Sequence, residues 1–128
     1  MEWIERLNEA VEYIETNLEN KIDYGEASKI ACCSVYHFQR MFSYIAGVTL
    51  GEYIRRRKMT KAAFELQRSN IKILELAVKY GYDSPTSFNR AFQSIHKISP
   101  SVARNKNIVL KTYPKLIFSL SIKGEEEL

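Results

Sequence analysis

The stretch VYHFQRMFSYI, residues 35–45, returns fifty residues later as PTSFNRAFQSI, residues 85–95. In the first copy Phe38, Met41, Phe42 and Ile45 stand at positions i, i+3, i+4 and i+7. In the second, Phe88, Ala91, Phe92 and Ile95 do the same. That spacing lines four apolar side chains along one stripe of an α-helix. The polar face repeats with it, Tyr36, Gln39 and Arg40 answering to Thr86, Asn89 and Arg90. Upstream, Ala27, Ser28 and Cys32 match Leu76, Ala77 and Gly81 at an offset of 49, so the second copy has one more residue in its turn. Each copy reads as a short helix, a tight turn and a longer helix. A small residue, Ser28 or Ala77, lets the short helix approach its partner, and the turn throws the next one across it, as in a helix-turn-helix unit.

Working outward, the ends of these helices carry their own signals. Ser34 and Ser84 are N-caps, with Pro85 at the first helical position, where its missing N–H costs nothing. Gly47 closes the helix after Ser34 as a left-handed residue. A long helix over residues 50–67, with Ile54, Met59, Ala62, Ala63 and Leu66 facing inward, joins the two copies. Asp23 caps a short helix ending near Ala31, and a second short one runs from Lys72 to Tyr80. Ile4, Leu7, Val11, Ile14 and Leu18 define an amphipathic first helix, and Pro100 opens a last short one. From Ile108 the period changes. Leu116, Phe118, Leu120 and Ile122 alternate with Ile117, Ser119, Ser121 and Lys123 between Pro114 and Gly124, a strand pattern. The predicted fold is therefore all-α, two helix-turn-helix subdomains joined by a long linker helix, with a short C-terminal β segment. The domain division falls at 1–107 and 108–128. A lone strand can neither bury its apolar face nor satisfy its edge. Residues 108–128 are thus expected to be a linker and the first strand of a truncated domain, with residues 116–128 mobile or paired with another copy of the chain.

Charge points to the partner. The 128 residues carry a net +4, but residues 1–20 are at −5, 21–115 at +11 and 116–128 at −2. A basic central block fits a polyanion, most simply nucleic acid. Arg can fork to guanine, and Gln or Asn can pair bidentately with adenine, in a major groove about 12 Å wide. Gln39, Arg40, Asn89 and Arg90 are suited to that task, and they recur on both longer helices. No paired-carboxylate, Ser-His-Asp or phosphate-loop pattern supports an enzyme, and no cofactor is implied. Cys32 and Cys33 are adjacent, and His37 and His96 add no ligand spacing, so no metal site is expected. The cysteines read as small buried side chains. No apolar run approaches the roughly 20 residues of a membrane span, and no signal-peptide pattern opens the chain, which reads as cytoplasmic. A helical RNA-binding or protein-docking module is the competing reading, although RNA readers usually stack bases on sheet or loop aromatics.

Two stretches carry a family resemblance: SVYHFQRMFSYIAGVTLGEYIRRRKMTKAAFEL, residues 34–66, and ILELAVKYGYDSPTSFNRAFQSIHKISP, residues 73–100. With Gly81, Tyr82, Phe88, Arg90, Phe92 and Pro100 in register, residues 4–107 resemble the AraC/XylS family of bacterial transcription regulators. The resemblance implies sequence-specific binding of double-stranded DNA, two reading helices entering successive major-groove segments, and RNA polymerase as a second partner. By position it assigns Val35, Tyr36, Gln39 and Arg40 to the first reading helix, and Thr86, Ser87, Asn89 and Arg90 to the second. Pro85 stands where relatives often have a polar reader, so the second unit is expected to read less sequence. Cys32 and Lys97 stand where glycines are common, and Ala103 where an aromatic is. Some members have a gyrase-inhibitor-like domain behind the DNA-binding block. By that likeness Leu116–Ile122 would begin such a domain, and a small-molecule effector would act only through it.

Overall fold

The computed structural model describes residues 2–122 and 124–126 and is helical throughout its ordered elements. In chain order these are α1 (Glu2–Thr16), α2 (Tyr24–Ile30), α3 (Val35–Ala46), α4 (Leu50–Arg68), α5 (Ile73–Lys79), α6 (Pro85–His96) and α7 (Pro100–Ala103). Asp23, Ser34 and Ser84 cap where the sequence puts them, and Thr49 is a further cap ahead of α4. Asp23 accepts from the N–H groups of Gly25 and Glu26, Ser34 from His37 and Thr49 from Glu52. Ser84 and Ser87 close a reciprocal capping box ahead of Pro85.

The linker helix α4 belongs to two cores at once. Leu50, Tyr53 and Ile54 in its first turns pack with Leu7, Val11, Ile14, Leu18, Ala27, Phe38 and Phe42. Met59, Ala62, Ala63 and Leu66 in its later turns pack with Leu76, Ala77, Tyr80, Phe88, Phe92 and Ile95. The first group completes a unit of α1, α2 and α3, and the second a unit of α5, α6 and α7. Burial at a four-residue step past Ile54 would extend one face. Met59 lies five residues on instead, about 140° round the helix axis. The two cores therefore sit on opposite sides of one rigid rod.

Salt bridges tie α1 to that rod. Glu15 pairs with Arg57, both almost buried, and lies 3.8 Å from Lys61. The Arg57 guanidinium keeps its proton even more firmly than usual because the Glu15 carboxylate beside it outweighs desolvation. Glu19, beyond the end of α1, reaches Lys79 of the second unit at 3.1 Å, and Lys79 also bonds Glu65 at 2.5 Å. Much of the acidic N-terminal block thus neutralises bases of the central block.

One expected element differs. No described residue of the C-terminal segment is in a strand, and Lys123 of the alternating pattern lies outside the described residues. The segment is extended, but its polar groups bond helices instead of a ladder. Tyr113 N–H donates to Thr60 Oγ1 at 3.0 Å and Leu116 N–H to Tyr53 Oη at 3.1 Å. Asn8 bonds both the N–H of Phe118, at 2.8 Å, and its carbonyl, at 2.9 Å. Leu110 and Tyr113 pack on the second core, Leu116 and Phe118 on the first. The Phe118 ring meets Phe42 edge-on at 5.9 Å. The inward half of the pattern stops at Phe118, since Leu120 and Ile122 are exposed. An extended strap over a helical block buries Leu116 and Phe118 as well as a strand would.

Candidate nucleic-acid interface

The apolar stripe of α6 lies in a core, as does that of α3 apart from the exposed Ile45, and the polar faces point outward. In α3, Phe38 and Phe42 are fully buried, while Val35, Tyr36 and Arg40 are exposed and Gln39 is half-buried. Arg40 Nη1 donates to Tyr36 Oη at 2.9 Å, one helical turn back, and its guanidinium lies 5.5 Å from the Tyr36 ring centroid. This contact lays the guanidinium back along the helix face toward Tyr36. Ser43 and Tyr44 extend the same shallow surface, with Tyr44 91% exposed. Neither was singled out from the sequence. Their signal was periodicity, since Ser43 follows Gln39 and Tyr44 follows Arg40 by one turn.

In α6 the corresponding face is smaller and more polar. Thr86 and Arg90 are exposed, and Asn89 is half-buried. Ser87 is spent on the helix end. Its hydroxyl donates to the Ser84 carbonyl at 2.9 Å and accepts from the Ser84 N–H. Of the four residues assigned to this helix, Ser87 is therefore the one whose side chain caps, leaving Thr86, Asn89 and Arg90 as the outward set.

The turns superpose residue for residue in their bonding. Cys33 N–H donates to the Ser28 carbonyl at 3.0 Å and Tyr82 N–H to the Ala77 carbonyl at 2.9 Å. The residue before each donor has positive φ, 59° at Cys32 and 81° at Gly81. At the far ends, Gly47 has φ 72° and Lys97 φ 64°. Cys32 and Lys97 thus keep the left-handed backbone that glycines adopt freely. The extra residue of the second turn appears between Gly81 and Ser84, so the offset of 49 becomes 50 there. Cys32 is exposed, with its sulfur beside the Arg6 guanidinium, and Cys33 is half-buried. The expectation that both are buried is corrected, because a turn that bulges outward presents its apex to solvent. Burial pushes the Cys33 thiol up from its ordinary range.

Among the described residues no group of three or more His, Cys, Asp or Glu could hold a metal, and no helix is long and apolar enough to cross a membrane. His96, at the end of α6, is buried with Nε2 at 2.9 Å from the Met59 carbonyl, and burial holds its pKa below the usual imidazole value. It locks the second reading helix to α4.

A family model described as a helix-turn-helix domain matches residues 27–106. The HTH-type transcriptional activator AarP of Providencia stuartii is 40% identical over 98 residues, which is 77% of this chain and 73% of that one. Among solved structures, a regulator from Chromobacterium violaceum, described as an AraC-type DNA-binding domain-containing protein, has a TM-score of 0.72 at 22% identity. That match covers 78% of this chain and 89% of that one. The DNA-binding domain of AdpA, solved in complex with a target DNA, has a TM-score of 0.70 at 23% identity, covering 77% and 88%. At those identities the two structures share the fold with this chain.

Proposed function

The chain belongs to the AraC/XylS family of DNA-binding transcription regulators, and from that premise we propose that α3 and α6 read base edges in two successive major-groove segments. The observation that carries this reading is the recurrence of an arginine and an amide, Arg40 with Gln39 and Arg90 with Asn89, on the outward faces of two equivalent helices. Val35 and Tyr36 add apolar contact suited to thymine methyl groups, and Thr86 a hydroxyl. DNA reading is assigned to residues 1–107. RNA polymerase is the second partner through which bound protein would act on transcription. The chain's own part is binding, with no catalysis.

Selection of bound duplexes from a random pool, followed by footprinting, tests this. One chain should protect two patches on one face of the duplex, about one helical turn or 34 Å apart. A palindromic site that requires two chains overturns the geometry. Tighter binding to structured RNA than to any duplex, in gel-shift competition, overturns the function.

A further inference from the structure

Along one flank of α4, between the two units, runs a crevice of about 490 Å³ bordered by residues 19–22, Tyr24, Ile54, Lys58 and Gly81. The other flank is covered, since Tyr53, Arg57, Thr60 and Gln67 all bond the chain beyond α7. The open flank adjoins the start of α2, where the Tyr24 hydroxyl lies near Gly51, and the turn that launches α6. Arg55 sits between them and partly offsets the effect of burial on both the Tyr24 and Tyr82 hydroxyls.

Lys58 is the base of α4 that borders this crevice. Its Nζ donates to the Tyr80 carbonyl at 3.2 Å and lies 5.9 Å from the Tyr82 ring centroid. Arg55 pairs with Glu52, while Arg57 and Lys61 share Glu15. Among the described residues no carboxylate pairs with Lys58, although Glu19 borders the crevice with its own carboxylate on Lys79. Burial alone acts on the Lys58 ammonium, drawing its pKa down. An ammonium taken partly out of water without a counter-ion is unfavourable until an anion joins it.

We propose that this crevice is a backbone-phosphate site, with Lys58 donating to a phosphodiester oxygen midway between the duplex segments read by α3 and α6. The inference rests on the reading above. A duplex that offers two successive major-groove segments to one protein turns its minor groove toward that protein between them. Phosphates of both strands line that groove, opposite the linker. Lys58 would be sequence-blind there, and through the Tyr80 carbonyl it would tie that phosphate to the turn before α6.

The test is Lys58→Met in the full chain, measured by anisotropy on a selected duplex and a random-sequence duplex across a salt series. The slope of log Kobs against log salt should become shallower by about 0.9, the value of one phosphate contact, on both duplexes. Lys58→Arg should keep the original slope. The free Met variant should melt no lower than the parent. An unchanged slope in the Met variant overturns the proposal, and a lowered melting temperature beside it would make Lys58 a bond to the Tyr80 carbonyl only. If the Met variant does not fold, Lys58→Gln carries the same slope measurement. A parent chain that favours no duplex over structured RNA would fail the underlying reading, whereas a discriminating parent with an unaltered variant slope fails this inference alone.

Discussion

The two helix-turn-helix units share a backbone and differ in what they put on it. Unit one presents an aromatic and aliphatic face, Val35, Tyr36 and Tyr44, around a tethered Arg40. Unit two presents Thr86, Asn89 and Arg90, and uses Ser87 to cap its own helix. Their strain falls at opposite ends, since unit one has a left-handed cysteine before its reading helix and unit two a left-handed lysine after its own. Their cores close differently too. Ile45 of unit one is 42% exposed where its counterpart Ile95 is 7% exposed, and unit one takes Phe118 from the chain's far end to complete its interior. The repeat thus keeps the positions at which side chains face outward, while their chemistry differs between the two units.

The largest break in the comparison should come from Phe118→Ala. Removing the ring from its contact with Phe42 should cost about 3 kcal/mol in urea denaturation, as for other buried aromatics. Amide exchange should then rise in α2 and α3 ahead of α5 and α6. Equal acceleration in both units would show that the strap serves the whole block. Next, Arg40→Ala and Arg90→Ala should each weaken a selected duplex by about 1–3 kcal/mol and a random one far less. Equal losses on both duplexes would make these arginines phosphate contacts. The smallest effects concern the turns. Lys97→Gly and Cys32→Gly should each stabilise by about 0.5–1 kcal/mol, the left-handed cost of a side chain less the added freedom of glycine when unfolded. Cys32→Gly should gain less, because it loses the Arg6 contact. Gly47→Ala and Gly81→Ala should shift thermal melting the other way.

Most of the helical frame was legible because its determinants are local. Asp23, Ser34, Ser84 and Gly47 each decide a boundary within one turn of themselves, and the fifty-residue echo supplied the pairing of helices. The outward faces followed from the same periodicity. What stayed hidden depends on partners distant in sequence. Nothing near Phe118 says that Asn8 will bond both its N–H and its carbonyl in place of a neighbouring strand. Glu15 and Arg57 look like ordinary surface charges until α1 lies against α4. Ser87 reads as an outward hydroxyl until the capping box claims it, and Lys58 becomes unusual only once its neighbours' carboxylates are seen to be engaged elsewhere.

The placement of both cores on one unbroken helix makes that helix a gear as well as a spacer. Each residue added to or removed from the stretch between Ile54 and Met59 would swing the second unit through about 100° while moving it only about 1.5 Å along the axis. A duplex offers the next major-groove segment at one angle only, so such a change would turn α6 away from the groove long before it altered the reach. Length in this segment is therefore quantised by the pitch of the protein helix. Operator spacing can drift only in ways that leave the phase of that rod untouched.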